Sequence, residues 1–188
     1  VTGIVGRFDL HSKPGSQGGL LQLEFLPLDF ITEWHRVGLT SDFVGDYLSY
    51  QFVNPAWGAQ VLSTVCNELL ENAVKFSGNP TLPIRLRAWT AGERLTLEVQ
   101  NTTGHTAAAL FRRHSGEVVD GEPEALFIAR TASLFEARDS SAPGLGLILL
   151  RKDYNAELAM NFKADAVGEE VAVFVRATLS IDEEMAHG

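Results

Sequence analysis

The 188-residue chain is 45% hydrophobic and 21% charged, which excludes a wholly disordered or collagen-like protein and supplies enough apolar side chains for one core. Its 24 acidic residues against 15 basic ones leave a net charge of −9, which repels a phosphate backbone and argues against nucleic acid as a partner, while a nucleotide still has room in a local site. The single cysteine, Cys66, excludes an internal disulfide and a cysteine-rich zinc site, and no apolar run reaches the roughly 18–20 residues of a membrane span, so a soluble, cytoplasmic chain without membrane attachment is expected.

Residues 1–19 carry Gly3, Gly6, Pro14, Gly15, Gly18 and Gly19 with little periodicity and are expected to form a flexible N-terminal arm. A single domain is expected over 20–181, with an acidic C-terminal tail at 182–188. Leu20–Leu28 alternates as a strand. After a break near Gly38, Ser41 is a plausible N-cap for a short helix whose Phe43, Val44, Tyr47 and Leu48 share a face. Asn54-Pro55 opens the longest helical pattern, to about Phe76, closed by Ser77-Gly78-Asn79-Pro80. Ile84–Trp89 and Leu95–Val99 read as a hairpin about Ala91-Gly92-Glu93. The stretch from 102 to 143 holds short helical pieces and is expected to act as a lid, being a long excursion between core elements with few apolar anchors before Leu126. A glycine turn at Pro143–Gly146 leads into a further helix to about Tyr154, followed by strands Glu157–Lys163 and Glu170–Ser180. Paired strands with helices gathered between them predict an α/β (α+β) two-layer sandwich: a mixed, mainly antiparallel sheet with helices on one face. Its core should include Leu62, Val65, Leu69, Ala73, Leu86, Leu97, Leu147 and Val173.

Two features carry candidate chemistry. In the long helix, spacing of about 100° per residue puts Glu68, Asn72 and Lys75 on one polar ridge bordering an apolar face of Leu62, Val65, Cys66, Leu69, Ala73 and Phe76. A carboxylate, an amide and an ammonium at a core margin can take a proton, offer oxygen to a hard cation and meet a phosphate. The alternative is a solvated helix face with Glu71 and Lys75 as an ordinary i,i+4 pair. Separately, Gly144-Leu145-Gly146-Leu147 places two glycines where a helix begins, a seat for phosphate in principle and a tight turn otherwise. Neither a dinucleotide fingerprint nor a P-loop is present.

Together these residues resemble the GHKL (Bergerat-fold) ATPase superfamily. Glu68-Leu-Leu-Glu-Asn72-Ala-Val-Lys75-Phe76 is similar to its N-box and Gly144-Leu145-Gly146-Leu147 to its second glycine box. The resemblance implies ATP and Mg²⁺ as cofactors. It implies that Asn72 holds the metal and that Glu68 is the catalytic group acting on water or an acceptor hydroxyl. Lys75 would approach the phosphates, Phe76 would pack near adenine, and Gly144, Leu145, Gly146 and Leu147 would receive the phosphates. The family's adenine-binding Asp is replaced by Asn101, which accepts a hydrogen bond without charge, and of the glycines that follow it only Gly104 remains. The small size and a Glu four residues before the Asn are most similar to anti-sigma-factor-like, SiaB-like serine/threonine protein kinases of partner-switching systems. The implied function is a Mg-ATP-binding signalling kinase, or a weak ATPase, acting on a small regulatory protein of the anti-sigma-factor-antagonist kind, with a homodimer left open. The alternative is a nucleotide-independent interaction module on the same fold.

Overall fold

The computed structural model describes residues 2–9, 21–137, 145–164 and 170–181. Gly144, most of the expected arm and the tail at 182–188 lie outside the described residues. The strands are β1 (Gly3–Val5), β2 (Leu21–Phe25), β3 (Ile84–Ala91), β4 (Arg94–Gly104), β5 (Glu157–Ala164) and β6 (Glu170–Ser180). The helices are α1 (Pro27–Thr32), α2 (His35–Ser49), α3 (Pro55–Lys75), α4 (His105–Asp120), α5 (Pro123–Ala137) and α6 (Leu145–Tyr154). The strands form one sheet in the order β1-β5-β6-β4-β3-β2.

Every described pairing is antiparallel, where a mixed sheet was expected. β4 and β5 do run the same way, but β6 lies between them, so no parallel strands are neighbours. The β3–β4 hairpin turns at Gly92-Glu93, with Ala91 opposite Arg94 and Gly92 at φ 58°. From that register, period-2 alternation sends Leu86, Leu97 and Val99 inward with Val173, Val175 and Ala177 of β6, and all are buried. All eight expected core residues are buried.

α3 begins with the Asn54 side chain accepting from the Trp57 N–H at 3.2 Å, and with Pro55 in its first turn. Its buried surface is wider than its sheet-facing stripe, for Leu70 and Val74 are also covered, because α2 packs along the other flank. There the helices close at Gly45, where a Cβ would lie 2.6 Å from the Ala59 carbonyl oxygen.

Several boundaries differ from the sequence reading. The first strand stops at Phe25 because Pro27 opens α1. α2 starts at His35, not Ser41: the half-buried Gly38 is tolerated in the helix, and buried Ser41 donates to the Val37 carbonyl one turn earlier. Phe43 and Tyr47 do not share the buried face of Val44 and Leu48, but point outward. Part of the expected arm is fixed to the sheet. β1 pairs with β5, Gly6 at φ 72° passes so close to Leu158 that a Cβ would meet its carbonyl at 2.6 Å, and Phe8 is buried over the Arg176 guanidinium at 3.8 Å. A three-residue edge strand that starts at Gly3 and is followed by Gly6 leaves too short a pattern to read.

Candidate functional site

The cleft forms where α3 crosses the ends of β4 and β6. From α3 come Leu69, Asn72, Ala73 and Phe76; from the strands Val99, Asn101, Thr103, Val173 and Val175. Register explains the two polar groups on β4. Asn101 lies opposite Val173 and Thr103 opposite Val171, both on the inward side, so the strand that supplies the core also turns an amide and a hydroxyl toward the helix. Both residues are buried.

The cleft is closed. Phe111 of α4 stacks on Phe76 with ring centroids 5.8 Å apart and leans on Phe162 at 6.0 Å, leaving a cavity of about 10 Å³. That is space for about one water molecule, against some 300–1,000 Å³ for a small-molecule site. Ala107 completes the wall.

One turn earlier on α3, outside the cleft's lining, the first turn of α6 backs onto Glu68 of the polar ridge. A Cβ on Gly146 would overlap the Glu68 carboxylate, lying 2.6 Å from its Cδ. Glycine here serves close approach, bringing a carboxylate to the positive end of a helix dipole. Leu145 is half-buried and Leu147 buried, so Leu147 anchors this turn in the core. Burial pushes the Glu68 carboxyl above its ordinary value, and the Glu71 charge adds to this while Lys75 opposes it. A carboxyl so poised holds a proton more readily and is a better base than an ordinary surface glutamate.

Asn72 and Asn101 thus line one cleft, whereas Glu68, one turn earlier on α3, meets Gly146 outside that lining. Lys75 is not among the cleft's lining residues either. Its ammonium is 2.7 Å from Glu71 and lies over Trp34 at 5.7 Å, while Asn67 also donates to Glu71 at 3.1 Å. That half of the ridge is the ordinary solvated pair. Gly104 has an extended backbone, φ −73° and ψ 159°, and nothing within 4 Å of a Cβ position, because β4 runs straight to it and α4 follows directly. Gly78, not Gly104, is the glycine pressed against this strand end: its N–H donates to the Thr102 carbonyl at 2.9 Å, and a Cβ would be 3.1 Å from the Gly104 nitrogen.

Sequence reasoning missed Phe111. Its signal is the small and apolar series Ala107, Ala108, Phe111, Ser115 and Val118, spaced for one face of α4. Ala108, Ser115 and Val118 are buried, so α4 does have anchors before Leu126, and Arg151 donates to the Val118 and Gly121 carbonyls at its C-terminal end. Cys66 faces Ser41 in the core, and burial pushes its thiol up to about 12, which removes it as a nucleophile.

A chain from the crystal structure of the SiaB-SiaC complex of Pseudomonas aeruginosa superposes on this one with a TM-score of 0.64, covering 85% of this chain and 89% of its own at 13% identity. The chain shares the fold of that structure. No protein-family model and no curated protein sequence matches it. Among the described residues there is no cluster of three or more His, Cys, Asp or Glu side chains able to hold a metal by themselves, and no helix long and apolar enough to cross a membrane. The polar lining of the cleft, the amides of Asn72 and Asn101 and the hydroxyl of Thr103, with the Glu68 carboxylate one turn away on α3, suits Mg²⁺ held jointly with phosphate oxygens, which needs few protein ligands. Its polar groups therefore fit a Mg-nucleotide, whereas its volume admits one only with Phe111 withdrawn.

Proposed function

We propose that this chain is a Mg-ATP-binding signalling domain that transfers phosphate to a serine or threonine of a small regulatory protein, or hydrolyses ATP slowly. The observation that carries this reading is that α3 of a GHKL-like fold presents Asn72 to a cleft shared with Asn101 and, one turn earlier, Glu68 to the Gly146 turn of α6. Bound Mg-ATP would supply the transferable phosphoryl group and the cation that offsets its charge. In this reading the Asn72 amide oxygen serves the cation. Buried Asn101 accepts from the adenine amino group, and Phe76 stacks on the base once Phe111 has left it. Glu68 takes the acceptor's proton, its raised affinity for a proton matching that task. Gly144, outside the described residues, and Gly146 let the first turn of α6 approach the phosphates. The 102–143 segment serves as the lid, with Phe111 as the part that fills the base position. The likeness to a chain solved in a two-protein complex supports a regulatory protein partner, which the sequence resemblance expects to be of the anti-sigma-factor-antagonist kind.

The test is Mg²⁺-dependent ATP turnover by the purified chain, with Glu68→Gln beside it. Turnover that falls by about 10²-fold in the variant is expected of a general base. Wild-type turnover no higher than the variant's would favour a second reading, a nucleotide-independent interaction module. The closed cavity and the uncharged Asn101 are the observations on that side.

A further inference from the structure

β4 turns two buried polar side chains into the cleft. Asn101 and Thr103 are each 4% exposed, and among the described residues neither side chain has a hydrogen-bond partner. Buried amides ordinarily find a partner within their own protein, because leaving one unpaired is costly. One that stays unpaired and lines a cavity is matched to something that enters it. The form of that occupant is given by the plug. Phe111 lies nearly parallel to Phe76, at 26° and 5.8 Å, in a lining otherwise built mainly of aliphatic side chains such as Leu69, Val99 and Val173. A flat aromatic ring therefore fits once Phe111 withdraws. Stacking on Phe76 does not choose among bases, since every base has a π-face. The choice falls to the polar groups.

Those groups are ambivalent. No charged side chain is among the described lining residues. An amide carries an acceptor oxygen and a donor NH2, and a hydroxyl donates and accepts, whereas a carboxylate only accepts. Pairing with Val173 of β6 fixes the Asn101 backbone, but the last torsion of an asparagine side chain is broad and roughly two-fold, so its oxygen and nitrogen exchange places readily. Toward a 6-aminopurine the amide offers its oxygen to the amino group. Toward a 6-oxopurine it offers its NH2 to the ring carbonyl. Thr103, two residues along the same inward face, follows by turning its hydroxyl.

We infer that the base position of this cleft does not separate 6-amino from 6-oxo purines, so that it takes 6-oxopurine nucleoside triphosphates as well as ATP, with Asn101 as the residue that leaves the choice open. This rests on the nucleotide reading given above and names the substrate class of that same site.

Calorimetric titration of the full chain with the Mg²⁺ complexes of ATP, inosine triphosphate and UTP tests it. Inosine triphosphate differs from ATP only along the ring edge that carries the 6-position, and UTP keeps the phosphates on a smaller base without that edge. ATP and inosine triphosphate should bind within about fivefold of each other, and UTP at least ~5-fold more weakly than either. Asn101→Ala should weaken both purine nucleotides alike, by about 3–10-fold, as for one lost hydrogen bond. Asn101→Asp, which only accepts, should shift their ratio toward ATP by at least ~10-fold. The Asn101→Ala comparison reads the same residue where a buried carboxylate prevents folding. Binding of ATP with a preference over inosine triphosphate greater than about fivefold would overturn the inference and leave the nucleotide reading standing. UTP bound as tightly as ATP, or an Asn101→Ala variant that binds both purines as the wild type does, would overturn it in the same way, for the base would then be held without being read. Uptake of none of the three at millimolar concentration would overturn both readings together.

Discussion

Where α6 crosses α3, backbone meets side chain: Gly146 lies so near Glu68 that no other residue fits without displacing the carboxylate. At the β4 end, side chain meets side chain, with Phe111 stacked on Phe76 over buried Asn101. The first contact is fixed by two packed helices whose anchors, Leu147 on α6 and Leu69 on α3, are buried in the same core. The second depends on one half-buried ring carried by the segment outside the paired strands. The Gly146–Glu68 contact is therefore built into the core, whereas closure of the cleft needs only a rotation of Phe111 or a shift of α4 to reverse. This arrangement holds the Glu68 carboxylate in place while the cleft over Asn101 stays shut.

The sharpest way to separate the two ends is to remove the polar groups singly. Glu68→Gln should lower turnover by about 10²-fold with ATP affinity nearly unchanged, because the carboxylate acts in the transition state. Asn72→Ala should weaken both, and only with Mg²⁺ present. Glu71→Gln, held outside the cleft by Asn67 and Lys75, should stay within about threefold of wild type. Equal small effects of Glu68→Gln and Glu71→Gln would reduce the whole ridge to a solvated helix face.

Gly146→Ala should cost about 1–3 kcal/mol by denaturant unfolding, the range for forcing atoms into a packed site. Placed on Glu68→Ala, the same change should cost at least ~1 kcal/mol less, since the overlapping carboxylate is gone. Gly104→Ala, with open space around it, should stay within ~0.5 kcal/mol of wild type. Without coupling between positions 146 and 68, the fixed character of that end would be lost.

At the apolar end, Phe111→Ala should lower stability by about 2 kcal/mol, less than the 3–5 kcal/mol of a fully buried ring because Phe111 is only half-buried. Its apolar substitute Phe111→Leu should recover most of that. A loss as large as that of a core phenylalanine would make the plug part of the fold and not a reversible closure.

The smallest effect is in the pH dependence of stability. Burial raises the folded-state pKa of Glu68 above its unfolded value near 4.5, so the native state binds the proton more tightly. Stability from this group is then present below that value and is lost as pH rises through the folded pKa. The melting temperature of Glu68→Gln relative to wild type should therefore move in the variant's favour between about pH 4 and pH 7. A difference flat across that range would mean that the carboxyl is as well solvated as in the unfolded chain.

How much of this was legible follows from the length of each pattern. The helix of 21 residues declared its cap, its sheet-facing stripe and its polar ridge, and the strand pairs declared their alternation, so the core emerged from periodicity. The ridge could not be divided in advance: Glu68, Asn72 and Lys75 share a side of the helix, yet Asn72 lines the cleft, Glu68 meets α6, and Lys75 turns to Glu71 and Trp34. That division depends on what packs against each, which no local pattern states. Phe111 was hidden for the same reason, since an aromatic on a helix stripe tells only that it is covered and not by what. The outward face of α2 was misread because Phe43 and Tyr47 were grouped with Val44 and Leu48, although the two pairs sit on different sides of the helix. β1 was too short to signal at all.

Calorimetric titration with ATP and Mg²⁺ of the wild-type chain and of Phe111→Ala together bears most directly on the claim that this cleft is a nucleotide site shut by its own α4 helix. The expected result is binding by the wild type and binding up to about tenfold tighter by the variant, the gain matching the 0.5–1.5 kcal/mol of a ring stack that no longer has to be broken. If neither protein takes up heat at millimolar nucleotide while the variant remains folded, the cleft is not a nucleotide site and the polar groups around it are structural.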